Sequence, residues 1–164
     1  MARFVRCRLR MTVTSYRELV CWQLSVRLRN ELIEIADRPN VARHFKYCEQ
    51  AGASTRSAVS SIAEGFGRSN KEFRRYLQIA LGSLQETENH VDEALQRRFI
   101  SALEHERLRQ LAKRAHQATL GLSHYLERRI RESARQKPSP PSPQPDQPDQ
   151  PDQPDQPDQP DQPD

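Results

Sequence analysis

Between Val59 and Leu95 the apolar residues recur every three or four positions, and the pattern is broken only once, by glycines. Val59, Ile62, Ala63 and Phe66 share one helical face. Gly65 and Gly67 follow, and glycine at positive φ readily stops a helix. Ser69 stands three residues before Glu72, the spacing of a capping box, in which the serine oxygen accepts an orphan N–H. The next helix carries Phe73, Leu77, Ala80, Leu84, Thr87, Val91 and Leu95 on one side. Two helices joined by so short a turn must run antiparallel and pack together.

The rest of the chain supplies two partners for this hairpin. Ser15 and Glu18 read as a capping box that opens a first helix rich in apolar residues, from Leu19 to Ile35. Those residues fill more than one stripe, so this helix is expected to touch two neighbours, one of them a second subunit. Pro39 disfavours a helical Arg38 and ends it. The second helix is expected from Lys46 or Cys48 to Gly65, and its many Ala, Ser and Gly residues allow close approach. The third spans Asn70 to Arg97, with Gly82 expected at a close helix crossing. Ser101 and Glu104 form a further capping box, opening a fourth helix that carries Leu108, Leu111, Ala115, Ala118, Leu122 and Leu126. It ends among Arg128, Arg129, Arg131 and Arg135, where cations offset the helix dipole. The expected fold is all-α: an antiparallel up-and-down four-helix bundle over residues 15–136, preceded by a basic extension, 1–14, and followed by a disordered proline-rich tail, 137–164.

From Lys137 the composition changes, and SPPSPQ leads into Pro-Asp-Gln repeats that run to Asp164. Proline at every third position fixes φ and removes an N–H, so neither helix nor sheet persists. Polyproline II would stretch the tail to roughly 80 Å. A spacer, a solubilising bristle, an acidic shield for the basic bundle and a repeat expansion of little effect are all consistent with it.

Charge divides the chain. The repeat holds seven aspartates and no cation, whereas 26 basic residues face 15 acidic ones elsewhere, a surplus of 11. Such a surplus favours an anionic partner, with solvated helix faces as the plainer alternative. Residues 1–14 hold four arginines and no acid; they make either a phosphate-contacting arm or a segment upstream of a natural start at Met11. Cys7, Cys21 and Cys48 form no C-x-x-C, and their odd number suits a reducing cytoplasm. No apolar run approaches the ~18 residues of a membrane span.

No catalytic set stands out, and no metal or cofactor is expected. His116 and His124 share a face, but eight residues place them about 12 Å apart, too far to ligate one ion. No H-E-x-x-H, P-loop or G-x-S-x-G occurs. The strongest candidate contacts are cations: Arg68 and Lys71 beside the glycine turn, Arg74 and Arg75 on helix three, Arg97 and Arg98 at its end, and Arg128, Arg129 and Arg131 on helix four. Arginine suits phosphate because its fork of donors matches the oxygens. The turn Glu64, Gly65, Gly67 can present N–H groups to an anion or simply end one helix before the next.

The segment SSIAEGFGRSNKEFRRYLQIALGSLQE resembles the signature of the four-helix bundle proteins named after intervening sequences in 23S ribosomal RNA genes. Ile62, Ala63, Glu64, Gly65, Gly67, Arg68, Glu72, Phe73, Ala80, Gly82, Ser83 and Leu84 carry the likeness, and Ser61 stands where the family usually has asparagine. SYRELVCWQLSVRL is similar to the family's first helix. The resemblance covers about Ser15 to Arg131. It implies a homopentameric bundle with a basic surface, no established reaction, and, by likeness to an accessory subunit of diversity-generating retroelements, nucleic acid or a reverse transcriptase as partner. Two functional readings follow: a non-catalytic homo-oligomer that binds RNA or DNA through arginines, and an oligomeric scaffold that docks a protein.

Overall fold

The computed structural model describes residues 13–136. Most of the expected N-terminal extension and all of the expected tail lie outside them. One turn of 3-10 helix, Tyr16–Glu18, leads into α1 (Val20–Ala36), the single turn α2 (Pro39–Ala42), α3 (Phe45–Gly65), α4 (Asn70–Gln96) and α5 (Ala102–Arg135). The four long helices form an antiparallel ring in which α1 borders α3 and α5, and α4 borders the same two. The glycine turn, the starts of α1 and α4 and the end of α5 gather at one end, called here the hairpin end.

Helix boundaries follow the local chemistry, with one correction. Ser15 does not cap α1. Its Oγ accepts from Arg17 N at 3.2 Å, and the Glu18 carboxylate takes the Thr14 hydroxyl instead, at 2.7 Å. The chain tightens into a 3-10 turn because Tyr16 packs edge-on against Trp22 and Phe66, 5.3 and 6.4 Å between ring centroids. Leu19 then extends, and α1 begins at Val20 with no side-chain cap. Arg38 is extended before Pro39, as the proline requires, but Pro39 also opens α2 as its first residue. Ser69 accepts from Glu72 N, while the Glu72 carboxylate takes the Ser69 hydroxyl at 2.6 Å. Ser101 and Glu104 make the full reciprocal box.

The end of α4 is a Schellman motif. Phe99 N donates to Ala94 O and Arg98 N to Leu95 O, at 2.8 and 2.9 Å. This places Arg98 at φ 58, in the left-handed region that glycine usually occupies. Phe99 is driven inward and buried.

Two apolar clusters make the core. The larger, far from the hairpin end, joins Leu28, Leu32, Ile35, Val41, Tyr47, Leu84, Val91, Phe99 and Leu108. The smaller joins Cys21, Ile62, Phe73, Leu77, Ala80 and Leu126. Buried hydroxyls also line the helix contacts: Ser25, Ser54, Thr55, Thr87, Thr119 and Ser123. Ser25, Thr55, Thr87 and Thr119 each donate to the carbonyl four residues back in their own helix, so none is an unpaired buried group. Ser57 and Ser83, 2.8 Å apart, join α3 to α4, and Gln78 Nε2 donates to Ser123 across α4 and α5.

The glycines divide by role. A Cβ on Gly65 would lie 2.6 Å from Phe73 Cδ2 and 2.7 Å from Tyr76 Cβ, so the end of α3 needs glycine to approach α4. Gly67 lies in open space at φ +81, where conformation alone requires it. Gly82 overturns its expectation: it is exposed, with nothing within 4 Å of an added Cβ, and so marks no close crossing among the described residues. The two-sided character of α1 is partly visible. Cys21, Leu28, Leu32 and Ile35 are buried, while Val20 and Ile33 face outward at 61% and 40% exposure.

Candidate nucleic-acid interface

Antiparallel packing of α4 and α5 brings the N-terminal turns of one beside the C-terminal turns of the other. Arg74 Nη2 lies 3.5 Å from Glu127 Oε2, and Gln78 meets Ser123, which fixes the register. Residues 64–75 and 125–135 therefore share the hairpin end. Together they carry eight Lys or Arg against four Glu. The positive end of the α4 dipole meets the negative ends of α3 and α5 there, so the excess rests on the side chains.

Of the nine cations singled out in the sequence, seven gather here: Arg68, Lys71, Arg74, Arg75, Arg128, Arg129 and Arg131. Arg97 and Arg98 do not. They sit at the far end of α4, 23 residues or roughly 35 Å from Arg74. Arg97 is engaged there by Glu93 at 2.7 Å, and Arg98 shapes the Schellman turn. The nine candidate cations are thus divided between two ends of the bundle.

Several hairpin-end cations already have partners. Glu127 is shared by Arg74 and Arg131, the latter at 2.7 Å, so this carboxylate ties α4 to α5 and neutralises part of the field. Arg74 is half-buried, and its Nε has no partner among the described residues. Arg129 lies 3.9 Å from Glu132. Arg68 donates from Nε to Glu64 O at 2.8 Å and lays its guanidinium over Tyr76, 5.0 Å from the ring centroid. It meets the carbonyl of Glu64, not the carboxylate. Lys71, Arg75 and Arg128 are exposed and have no carboxylate within ion-pair distance among the described residues.

The glycine turn spends part of its donors on itself. Phe66 N and Arg68 N bond to Ala63 O and Gly65 O, both at 3.3 Å, and Glu72 N goes to Ser69. Glu64, Gly65 and Gly67 accordingly shape the turn. The Ser69 hydroxyl, then its backbone, holds the Glu72 carboxyl below the usual carboxylate range, so Glu72 stays ionised beside Arg68.

Two further cations stand at this end: Arg17, which sequence reasoning missed, and Arg135, which it assigned only to the helix dipole. Arg17 stacks over Tyr16, 4.8 Å from the ring centroid, and Arg135 closes α5. Their signal was positional: both occupy helix termini that an up-and-down topology must bring to the hairpin end.

Elsewhere the polar chemistry is dispersed. An open groove of about 690 Å³ between α4 and α5 is lined by Glu88, His105, Arg109, Lys113 and His116 among others. Asp92 at its edge is engaged by His105 Nε2 at 2.8 Å and by Arg109 at 3.6 Å. Among the described residues no group of three or more His, Cys, Asp or Glu is placed to hold a metal ion, and no helix is long and apolar enough to cross a membrane. Burial pushes the Cys21 thiol up to about 11, which is the behaviour of a packing residue.

No curated protein matches the chain. The family model for the 23S rRNA-intervening sequence protein matches residues 17–120, a span that runs from the 3-10 turn through α4 and over half of α5. With the helical ring in place, and the glycine turn and the Ser69 cap inside that span, the chain belongs to the 23S rRNA-intervening sequence protein family.

Proposed function

We propose that this protein is a non-catalytic nucleic-acid-binding bundle that contacts RNA or DNA phosphates with its hairpin end. The observation that carries the reading is the excess of eight cations over four carboxylates in 64–75 and 125–135, with Lys71, Arg75 and Arg128 exposed and free of acidic partners among the described residues. Phosphate contacts of this kind give affinity without base reading. Each neutralised phosphate contributes about −0.9 to the log–log salt slope on duplex DNA and about −0.7 on single strands. Replacing Lys71, Arg75 and Arg128 together by glutamine therefore lowers the slope by about 2 to 3. The matched replacement of Arg97 and Arg98 changes it little, because those residues lie at the other end. A flat salt response of the parent protein, or equal losses from the two sets, refutes the reading.

A second reading concerns assembly. Val20 and Ile33 expose apolar surface on α1, which supports a homo-oligomer and, through it, a scaffold for a protein partner such as a polymerase. Light scattering on the purified chain and on Ile33→Lys separates the alternatives. A mass of one subunit for both proteins removes this second reading.

A further inference from the structure

We propose that the acidic Pro-Asp-Gln repeat of this chain docks on the chain's own hairpin end and competes there with external polyanions. The docking stands on charge and tethering alone; only the competition rests on the nucleic-acid reading above.

Three observations converge. The first is where the tether begins. α5 closes at Arg135, at the hairpin end, so the sequence that follows starts beside the cationic surface. Asp146 comes ten residues after Gln136, and a chain of that length spans at most about 36 Å. Arg128 sits only eight residues back along α5, about 12 Å of helix rise. The first aspartates therefore reach the patch without strain, and the later ones have chain to spare.

The second is charge complementarity. The repeat places seven aspartates in nineteen residues, with no cation among them. Its nearest complement is the surplus of four positive charges carried by 64–75 and 125–135. Lys71, Arg75 and Arg128 offer donors there that no described carboxylate occupies.

The third is spacing. Aspartate at every third position of an extended chain recurs about every 10 Å. Arg128 and Arg135 are seven residues apart on one face of α5, again about 10 Å. Lys71 and Arg75 flank the neighbouring face of α4, one turn apart. A polyanionic strand laid along the end of α5 thus matches the Arg128–Arg135 interval, while Lys71 and Arg75, about 6 Å apart, both lie within one interval of the repeat. Proline limits the freedom that the strand loses on docking. Tethering supplies an effective concentration in the millimolar range, so weak individual contacts suffice.

The test compares the full chain with a full chain in which all seven repeat aspartates are asparagine. The substitutions lie beyond Gln136 and leave the helical core untouched. Arginine Nε–Hε resonances are recorded with no nucleic acid present, at 20 mM and 500 mM NaCl. Docking is expected to shift Arg75 and Arg128 between the two proteins at low salt, to leave Arg97 in place, and to vanish at high salt. Identical spectra overturn the proposal. So do differences that grow with protein concentration, which assign the contact to a second copy's tail, or equal shifts at Arg97, which reduce it to diffuse attraction. Competition is then read with a twenty-residue oligothymidylate at low salt, which should bind the neutral-tail chain severalfold tighter. Equal affinities overturn the competition. An oligonucleotide that binds neither protein overturns the nucleic-acid reading instead, and the resonance shifts still decide docking.

Discussion

Replacing Arg98 by glycine should stabilise the bundle. Arg98 sits at φ 58, one residue past the C-cap of α4. A Cβ in the left-handed region costs an L-residue roughly 1–2 kcal/mol. Glycine removes that strain but gives back roughly 0.5–1 kcal/mol, because its unfolded chain is freer. The net gain is therefore about 0.5–1 kcal/mol. The local offset is the loss of a cation at the C-terminal end of the α4 dipole, a few tenths of a kcal/mol at an exposed site, which the alanine control shares. The two bonds of the motif are made by backbone N–H groups, and the Arg98 side chain is exposed, without an ion pair among the described residues. For a folded unit of this size, that gain raises the melting temperature by roughly 2–5 °C. The assay is helical circular dichroism during thermal unfolding, with Arg98→Ala as the control. Alanine keeps the Cβ and the strain, so it should melt at or near the parent temperature. If glycine fails to exceed alanine by at least about 1 °C, the left-handed turn is not where the cost resides and the reasoning fails.

Gly65→Ala and Gly82→Ala should move in opposite directions. The first drives a methyl into Phe73 and Tyr76 and should cost about 1–3 kcal/mol, whereas the second fills open space mid-helix and should gain up to about 1 kcal/mol; urea midpoints report both. The Glu104 carboxyl is held down at about 2 by the Arg38 guanidinium first and by Ser101 second. Because its folded pKa is depressed, its contribution is complete above about pH 4.5 and fades as pH falls towards about 2. Glu104→Gln should therefore cost about 1 kcal/mol near neutrality and lose that deficit in acid, which stability curves at pH 7 and pH 2.5 will show. Cys21 should resist a thiol reagent until the protein unfolds, since burial both covers it and raises its pKa. Rapid native-state labelling of Cys21, mapped by peptide mass, would contradict its placement in the core.

The parts of the fold that sequence could reveal were those decided within a few residues. The Gly65–Ser69 turn, the α4 stripe and the Ser101 cap depend on φ tolerance, periodicity and a three-residue spacing, all visible in the letters. The 3-10 turn at Tyr16 was not visible, because Trp22 and Phe66 decide it and Phe66 arrives from α3. Gly82 misled for the same reason: a glycine in a helix looks alike whether a neighbour or open space stands opposite. At the candidate interface, the residue types were legible and their availability was not. Whether Arg74 is free or spent depends on which α5 carboxylate the register sets beside it, and that register is a property of two whole helices. The split of Arg97 and Arg98 from the other cations was within reach, since the length of α4 alone separates them.

The buried hydroxyls that bond within their own helices carry a mechanical implication. They spend most of their directional bonding locally. Among the described residues Thr87 also reaches Ser54 across α3 and α4 at 3.1 Å, beside the Ser57–Ser83 and Gln78–Ser123 bonds, so most of what holds one rod to the next lies in apolar contact. Cohesion then resides in two greasy compartments, one behind the glycine turn and one at the opposite pole. Lesions in separate compartments, such as Leu77→Ala and Leu108→Ala, should act as strangers to each other, their costs simply adding. A change that loosens the pole bearing Phe99 can then leave the charged pole intact.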